Sequence, residues 1–301
     1  MNPLSGLSEQ LNERLDCQLP KLDWQSQLCH SIGYPASDLP WTQLRLAQFE
    51  IGPDIQSAVC CDPVLMQLTH RGAYMLGQSP LQLSQNEAIR IVAQINERLT
   101  DAGESLFLVD KHAWLFTSVN EMPLASKPVH SLIGKDMFNF SYSGEKSVHW
   151  QQLATEIQML IKHMIDYQGL TPPQVESMIN VHFSGWINPH SVQPIPFIDN
   201  PAVSIVSDNE LIKTFCKHSL LAHKSVADIE QVKTPDLVAV AFDEEQGRYS
   251  ALLDFWCERV LSGDTKNARI ICQDAVISLK PAKSLFRRLF AFNRKTTGLK
   301  P

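Results

Sequence analysis

AVSIVSDNELIKTFCKH (residues 202–218) is a short apolar run followed at once by a helical pattern. Its first five residues are rich in β-branched side chains, as in a buried strand. In SDNE, Ser207 and Glu210 stand at capping-box spacing, which predicts a helix starting there. Downstream, DLVAVAF (236–242) precedes the helical RYSALLDFWCERVL (248–261), closed by Gly263, and ARIIC and AVISL follow as strands. Such β-α-β-α-β order predicts an α/β fold with a layered, mostly parallel sheet.

Upstream the pattern differs. Residues 1–60 are Pro- and Gln-rich with scattered Trp and Leu, which predicts short helices and loops. Ser84 and Glu87 have capping-box spacing, and Ile89, Val92, Ile95 and Leu99 follow at helical intervals up to Gly103. SLFLVD and AWLFTS then read as strands of a small sheet. A second helix is predicted over 147–166, with Trp150, Leu153, Ile157, Leu160 or Ile161, and Met164 on its core face. The expected divisions are N-terminal helices and loops (1–60), an α+β region (61–190), an α/β unit (191–279) and a basic amphipathic tail (280–301).

With 44% hydrophobic and 19% charged residues, the composition is that of an ordinary globular protein. No apolar run approaches the roughly 20 residues of a membrane span. The N-terminal stretch has neither a basic nor an apolar signal region, so no export signal is expected. Seven cysteines without a CxxC pair fit reduced thiols in a cytoplasm, and Cys60 and Cys61 are expected to be buried thiols. Of 26 basic residues, seven lie from Lys280 onward with no acid, so the net charge of −6 divides into −13 and +7. In that tail Arg287 and Arg288 alternate with Phe286 and Phe290 in an amphipathic pattern. It suits packing on the acidic body, an anionic membrane surface or a protein groove; nucleic acid is disfavoured by the acidic body.

Chemistry-bearing motifs are sparse. Asp208, Asp243 and Asp274 follow predicted strands, where α/β sheets gather ligands, and could hold a divalent cation such as Mn²⁺ or Zn²⁺. Asp at such places also caps helices and forms turns. None of the ten histidines forms HxH, HExxH or HxxxH, and there is no glycine-rich phosphate loop and no GxSxG.

CDPVLMQLTHRGAYMLG (61–77), LQLSQNEAIRIVAQINERLTDAG (81–103), GKDMF (134–138), WQQLATEIQMLIKH (150–163) and SMINVHFSG (177–185) occur in an order that resembles a proteobacterial family. Its members are labelled cofactor-independent phosphoglycerate mutase-like, or regulatory protein of a diffusible-signal gene cluster. The family's signature looks related to the inserted region of archaeal-type phosphoglycerate mutases, α/β enzymes of the alkaline-phosphatase superfamily. Trp150, Glu156, Gln158 and Met159 stand where the family has them, with Asn180 and Gly185 further on. The chain departs where the family has His-Pro-Val-Asn and an Arg, showing HMIDYQG instead.

The resemblance implies an alkaline-phosphatase-like fold in degenerate form, with a smaller inserted α+β region. Glu156, Gln158, His163 and Asn180 become candidate ligand-binding residues. The superfamily's chemistry needs two metals held by Asp and His and a Ser or Thr nucleophile. Because that set is missing, a binding or regulatory role without cofactor is expected, toward a protein partner or a small phosphorylated metabolite. The alternatives are a metal-dependent mutase or phosphatase, and an adaptor working through the tail.

Overall fold

In the computed structural model, residues 24–36, 38–78, 81–137, 140–173, 177–200, 202–231, 236–240, 256, 259–260, 262, 266–271 and 276–279 are described. The chain forms two units, one of residues 40–194 and the other of 1–39 with 195–301, so the first is inserted within the second.

The inserted unit is built on β1 (Ser57–Thr69), 13 residues long. β5 (Ser177–Ile187) runs antiparallel along one edge of β1. The other edge is shared. β4 (Ala113–Ser118) pairs with Ser57–Cys61, and β2 (Gly72–Gly77) pairs with Leu65–Thr69, both antiparallel. β3 (Glu104–Asp110) then pairs with β4, completing a five-stranded antiparallel sheet. Residue 60, the expected end of the N-terminal region, therefore lies inside β1.

α3 (Gln85–Leu99) and α4 (Ser147–Tyr167) cover one face of this sheet, after the short α1 (Trp24–Ile32) and α2 (Trp41–Leu46) earlier in the chain. The predicted capping box is formed: Ser84 Oγ accepts from Glu87 N, and Glu87 Oε2 accepts from Ser84 N at 2.9 Å. Glu87 also accepts from Thr171 N at 2.9 Å, tying the segment after α4 to the start of α3. Desolvation opposes it, but these hydrogen bonds hold the Glu87 carboxyl down at about 2. Alternation along β1 sends Val59, Cys61 and Leu65 into the core with Trp114, Phe116, Phe183 and the helices. Val64 and Met66 face the other way, with Met75, Val129 and Leu132.

The outer strands carry contacts that interrupt their free edges, which would otherwise template association. Segment 134–137 hydrogen-bonds to β2 through Met75 and Ala73. The Asn96 amide donates to Leu106 O at 2.8 Å and accepts from Leu106 N at 2.7 Å, standing in for a strand neighbour of β3. On β5, the Tyr142 hydroxyl accepts from Phe183 N at 3.1 Å.

In the other unit the sheet order is β10-β9-β8-β6-β7, from β6 (Val203–Val206), β7 (Ala222–Lys224), β8 (Asp236–Val240), β9 (Asn267–Ile271) and β10 (Val276–Leu279). β6 is parallel to β7 and β8, and β8 to β9, while β10 is antiparallel to β9. The mostly parallel expectation describes this sheet; the inserted sheet is wholly antiparallel.

The helix read from SDNE is α5 (Glu210–Ser219), but its cap is a correction to that reading. Asn209, in extended conformation, accepts from Leu211 N at 3.0 Å and Ile212 N at 3.1 Å. Ser207 Oγ instead accepts from Asn209 N at 3.2 Å. The reason is one of reach: Asn209 sits directly before the helix, whereas Ser207 is spent on the turn leading into it. The helix expected over 248–261 lies outside the described residues, apart from Trp256, Arg259, Val260 and Ser262. Among the described residues no helix is long and apolar enough to cross a membrane.

Candidate functional site

On α4, the side of the signature helix facing the sheet is core. Trp150 is fully buried, 5.2 Å from Phe116 and 4.9 Å from Phe183 between ring centroids. Glu156 and His163 are seven residues apart and share the outer face, because seven residues make nearly two turns. Met159 lies between them with 67% of its surface exposed, and Tyr167, 78% exposed, stacks on His163 at 5.0 Å. Gln158 is half-buried and donates through Nε2 to Met178 Sδ at 3.4 Å. Asn180 donates through Nδ2 to Met66 Sδ at 3.6 Å, and its Oδ1 accepts from Val181 N at 2.8 Å. The four sequence candidates thus divide: two stand on the outer helix face, and two hold methionine sulfurs.

Glu156 also acts on a buried neighbour. Glu104, at the start of β3, is buried with Oε1 3.3 Å from His149 Nε2. Burial raises the Glu104 carboxyl; the His149 side chain opposes this and the Glu156 charge adds to it. A carboxyl whose folded-state pKa lies above its unfolded value binds its proton more tightly when folded. Stability is therefore lost as pH rises from the ordinary carboxylate range. Glu104→Gln is expected to raise the urea midpoint relative to wild type at pH 7.5, and to lose that advantage at pH 4. An equal difference at both pH values in parallel urea titrations would show that Glu104 is not the titrating group.

A second constellation lies on the opposite face of the same sheet and was not legible in the motifs. Arg45, in α2, is 6% exposed and so is Asp62, in β1. Arg45 Nη2 reaches Asp62 Oδ1 at 2.7 Å, and Nη1 donates to Trp114 O at 2.7 Å. Gln78 Nε2 donates to Asp62 Oδ1 at 3.3 Å and to His112 O. The location has a physical cause. Between Cys61 and Leu65, β4 has left the shared edge of β1 and β2 has not yet joined it. Pro63 supplies no donor there. Arg45 and Gln78 satisfy carbonyls of the departing hairpin, and Asp62 receives both of them.

Burial raises the Asp62 carboxyl, and Arg45 pulls it back down. Despite desolvation, Asp62 holds the Arg45 guanidinium firmly protonated. Cys60 lies 3.1 Å from Thr42 Oγ1, and burial pushes its thiol up to about 11; Cys61 is raised for the same reason. Neutral buried thiols of this kind are poor nucleophiles. Across the strand from Asp62 stands His182, whose Nε2 is 2.7 Å from Lys127 O and 3.2 Å from Ser126 Oγ. Desolvation lowers His182 to about 4, so the ring is neutral at physiological pH. The arrangement is a buried polar layer that locks α2 to the sheet. Its sequence signal was an Asp-Pro inside an otherwise apolar strand and an Arg flanked by leucines.

Gly185 has its own reason to be glycine. It sits at φ 67° where β5 bulges, and an added Cβ would lie 2.8 Å from Thr42 Oγ1, which donates to the Gly185 carbonyl. Gly185→Ala is expected to destabilise the unit by about 1–3 kcal/mol, the cost typical of forcing a side chain into that conformation. A thermal midpoint equal to wild type would contradict this.

Of the three aspartates proposed as metal ligands, Asp208 is described; its Oδ1 accepts from Val226 N at 2.9 Å, a turn-capping contact. Asp243 and Asp274 lie outside the described residues, as do Phe286, Arg287, Arg288 and Phe290 of the tail. Among the described residues no three His, Cys, Asp or Glu side chains converge to hold a metal ion.

No protein-family model matches the chain, and no curated protein sequence matches it. Among solved structures it is similar to the cofactor-independent phosphoglycerate mutase from Thermoplasma acidophilum DSM 1728, with 12% identity over 90% of this chain and 80% of that one and a TM-score of 0.35. It is also similar to the PH0037 protein from Pyrococcus horikoshii, with 11% identity over 88% of this chain and 76% of that one and a TM-score of 0.41.

Proposed function

We propose that the protein is a binding protein on a degenerate, phosphoglycerate mutase-like scaffold, and that the outer face of α4 recognises a protein partner. One observation carries this reading. Of the residues that match the family signature, Trp150 is explained by packing, but Met159 is not, because two thirds of its surface meets solvent. Methionine and tyrosine are favoured where one surface must fit another protein, and Met159 and Tyr167 stand on one helix with Glu156 and His163 between and beside them. Lys162 on this helix is paired with Asp166 at 2.5 Å, so the face favours a protein over a free phosphorylated metabolite.

A photo-crosslinking residue placed at 159 or 163 in the full chain tests this in cells. Both positions should give the same single adduct, identified by mass spectrometry, and Glu156→Lys should abolish it. The same adduct from position 133, exposed elsewhere on the inserted unit, would overturn the assignment; so would no adduct at all. Calorimetric titration of metal-stripped protein with Mn²⁺ and Zn²⁺ separates this reading from a metal-dependent mutase or phosphatase. Stoichiometric binding tighter than about 10 μM, roughly 7 kcal/mol, would favour the enzyme.

A further inference from the structure

Helix α5 ends on a residue that neither its own backbone nor the core requires. Leu220 caps it at φ 58° and ψ 26°, in the left-handed region, and among the described residues no other residue but glycine has a positive φ. Glycine or asparagine usually stands there, because a Cβ is strained in that conformation. Leu221 N closes the cap by donating to Cys216 O at 3.0 Å, and Leu221, the residue that such a cap tucks inward, is buried. Leu220 is 72% exposed.

A second large apolar side chain stands beside it. Ile198 N donates to Ser219 O at 3.0 Å, so Phe197 and Leu220 immediately flank one backbone contact. Ile195 and Ile198 are buried, whereas Phe197 between them is 75% exposed. Pro196 fixes the backbone just before Phe197, so the ring is presented from a stiffened stretch. An apolar pair held out by a strained cap on one segment and by a proline on the other is preorganised for contact.

Charge identifies the occupant. Asp199 follows Phe197 on one segment and Lys217 precedes Leu220 on the other; both are exposed, and among the described residues neither is in an ion pair. An anionic bilayer or a nucleic acid would favour cations alone, whereas this patch carries both signs. A twofold rotation sets Asp199 of one copy against Lys217 of the other, and again in reverse, with the phenylalanines and leucines between them.

We propose that this patch is a twofold interface between two copies of the chain, with Phe197 and Leu220 at its centre and the Asp199–Lys217 pairs at its rim. Two apolar anchors on each copy make a small contact, so the dimer is reversible and depends on concentration. It involves none of the α4 residues and does not depend on their role.

Sedimentation velocity of the full chain over about 1–200 μM, where a contact of this size associates, should show a monomer passing into a dimer. Phe197→Asp should weaken the dimer about tenfold or more, as loss of a central aromatic anchor does. Leu220→Gly should weaken it too. Yet its urea midpoint, measured where the chain is monomeric, should equal or exceed that of wild type, because glycine relieves the strained cap. That combination separates recognition from folding. Asp199→Lys alone should weaken the dimer, and adding Lys217→Asp should restore it, since the exchanged pair is again complementary. A chain that stays monomeric throughout would overturn the interface, even if it sediments with phosphatidylserine vesicles or is captured by another protein. So would a dimer that Phe197→Asp leaves unaltered, or a charge exchange no tighter than the single variant.

Discussion

Arg45→Ala is expected to cost about 3–5 kcal/mol of the stability of the inserted unit, because it strands a buried carboxylate. Arg45 is the cationic partner of Asp62, and it also satisfies the Trp114 carbonyl where β4 leaves β1. The sign with pH follows from Asp62. Burial already raises its carboxyl above the ordinary value, and removing Arg45 removes the group that lowers it. The variant's folded state would then hold the Asp62 proton still more tightly, so its stability falls as pH rises above the ordinary carboxylate range. The deficit should be large at pH 7.5 and smaller at acidic pH, where protonation removes the stranded charge. Arg45→Met combined with Asp62→Leu should recover much of the loss, since a buried pair contributes little beyond an apolar replacement. Urea denaturation of the three proteins at both pH values checks this. A deficit independent of pH would mean that Arg45 acts through packing rather than charge.

Trp150→Ala should cost a similar amount, about 3–5 kcal/mol, through the cavity left between α4 and the sheet. The ring lies against both Phe116 and Phe183, so its removal takes contacts from two strands at once. Trp150→Phe should cost less, because the indole N–H is buried without a hydrogen-bond partner and its loss leaves no orphaned group behind. On the same helix, Met159→Ala should change stability by no more than about 0.5 kcal/mol, as expected of an exposed residue. This contrast divides α4 into a core face and a face free for recognition. Comparable losses at 150 and 159 in the same denaturation assay would remove the division and the functional reading with it.

Some of this was visible in the chain. The Ser84–Glu87 box, the helix through Trp150 and the strands SLFLVD and AWLFTS all lie where periodicity puts them, since each depends on residues within a turn or a pleat of one another. The Ser207–Glu210 spacing was equally local, yet Asn209 won the cap by standing closer to the free N–H groups. Spacing identifies a helix start more securely than it identifies the capping atom.

Local pattern determined the two amphipathic helices of the inserted unit and the step from β6 into α5 in the other, because hydrophobic periodicity is a short-range property of the chain. Tertiary structure decided the rest. Arg45 meets Asp62 because β1 changes its partner between Cys61 and Leu65, and Met66 meets both Met75 and Met178 because three strands pair in that register. Strand register alone joins the methionines, and a shift of one residue would turn them to the other face, whereas Arg45 reaches Asp62 from the helix α2.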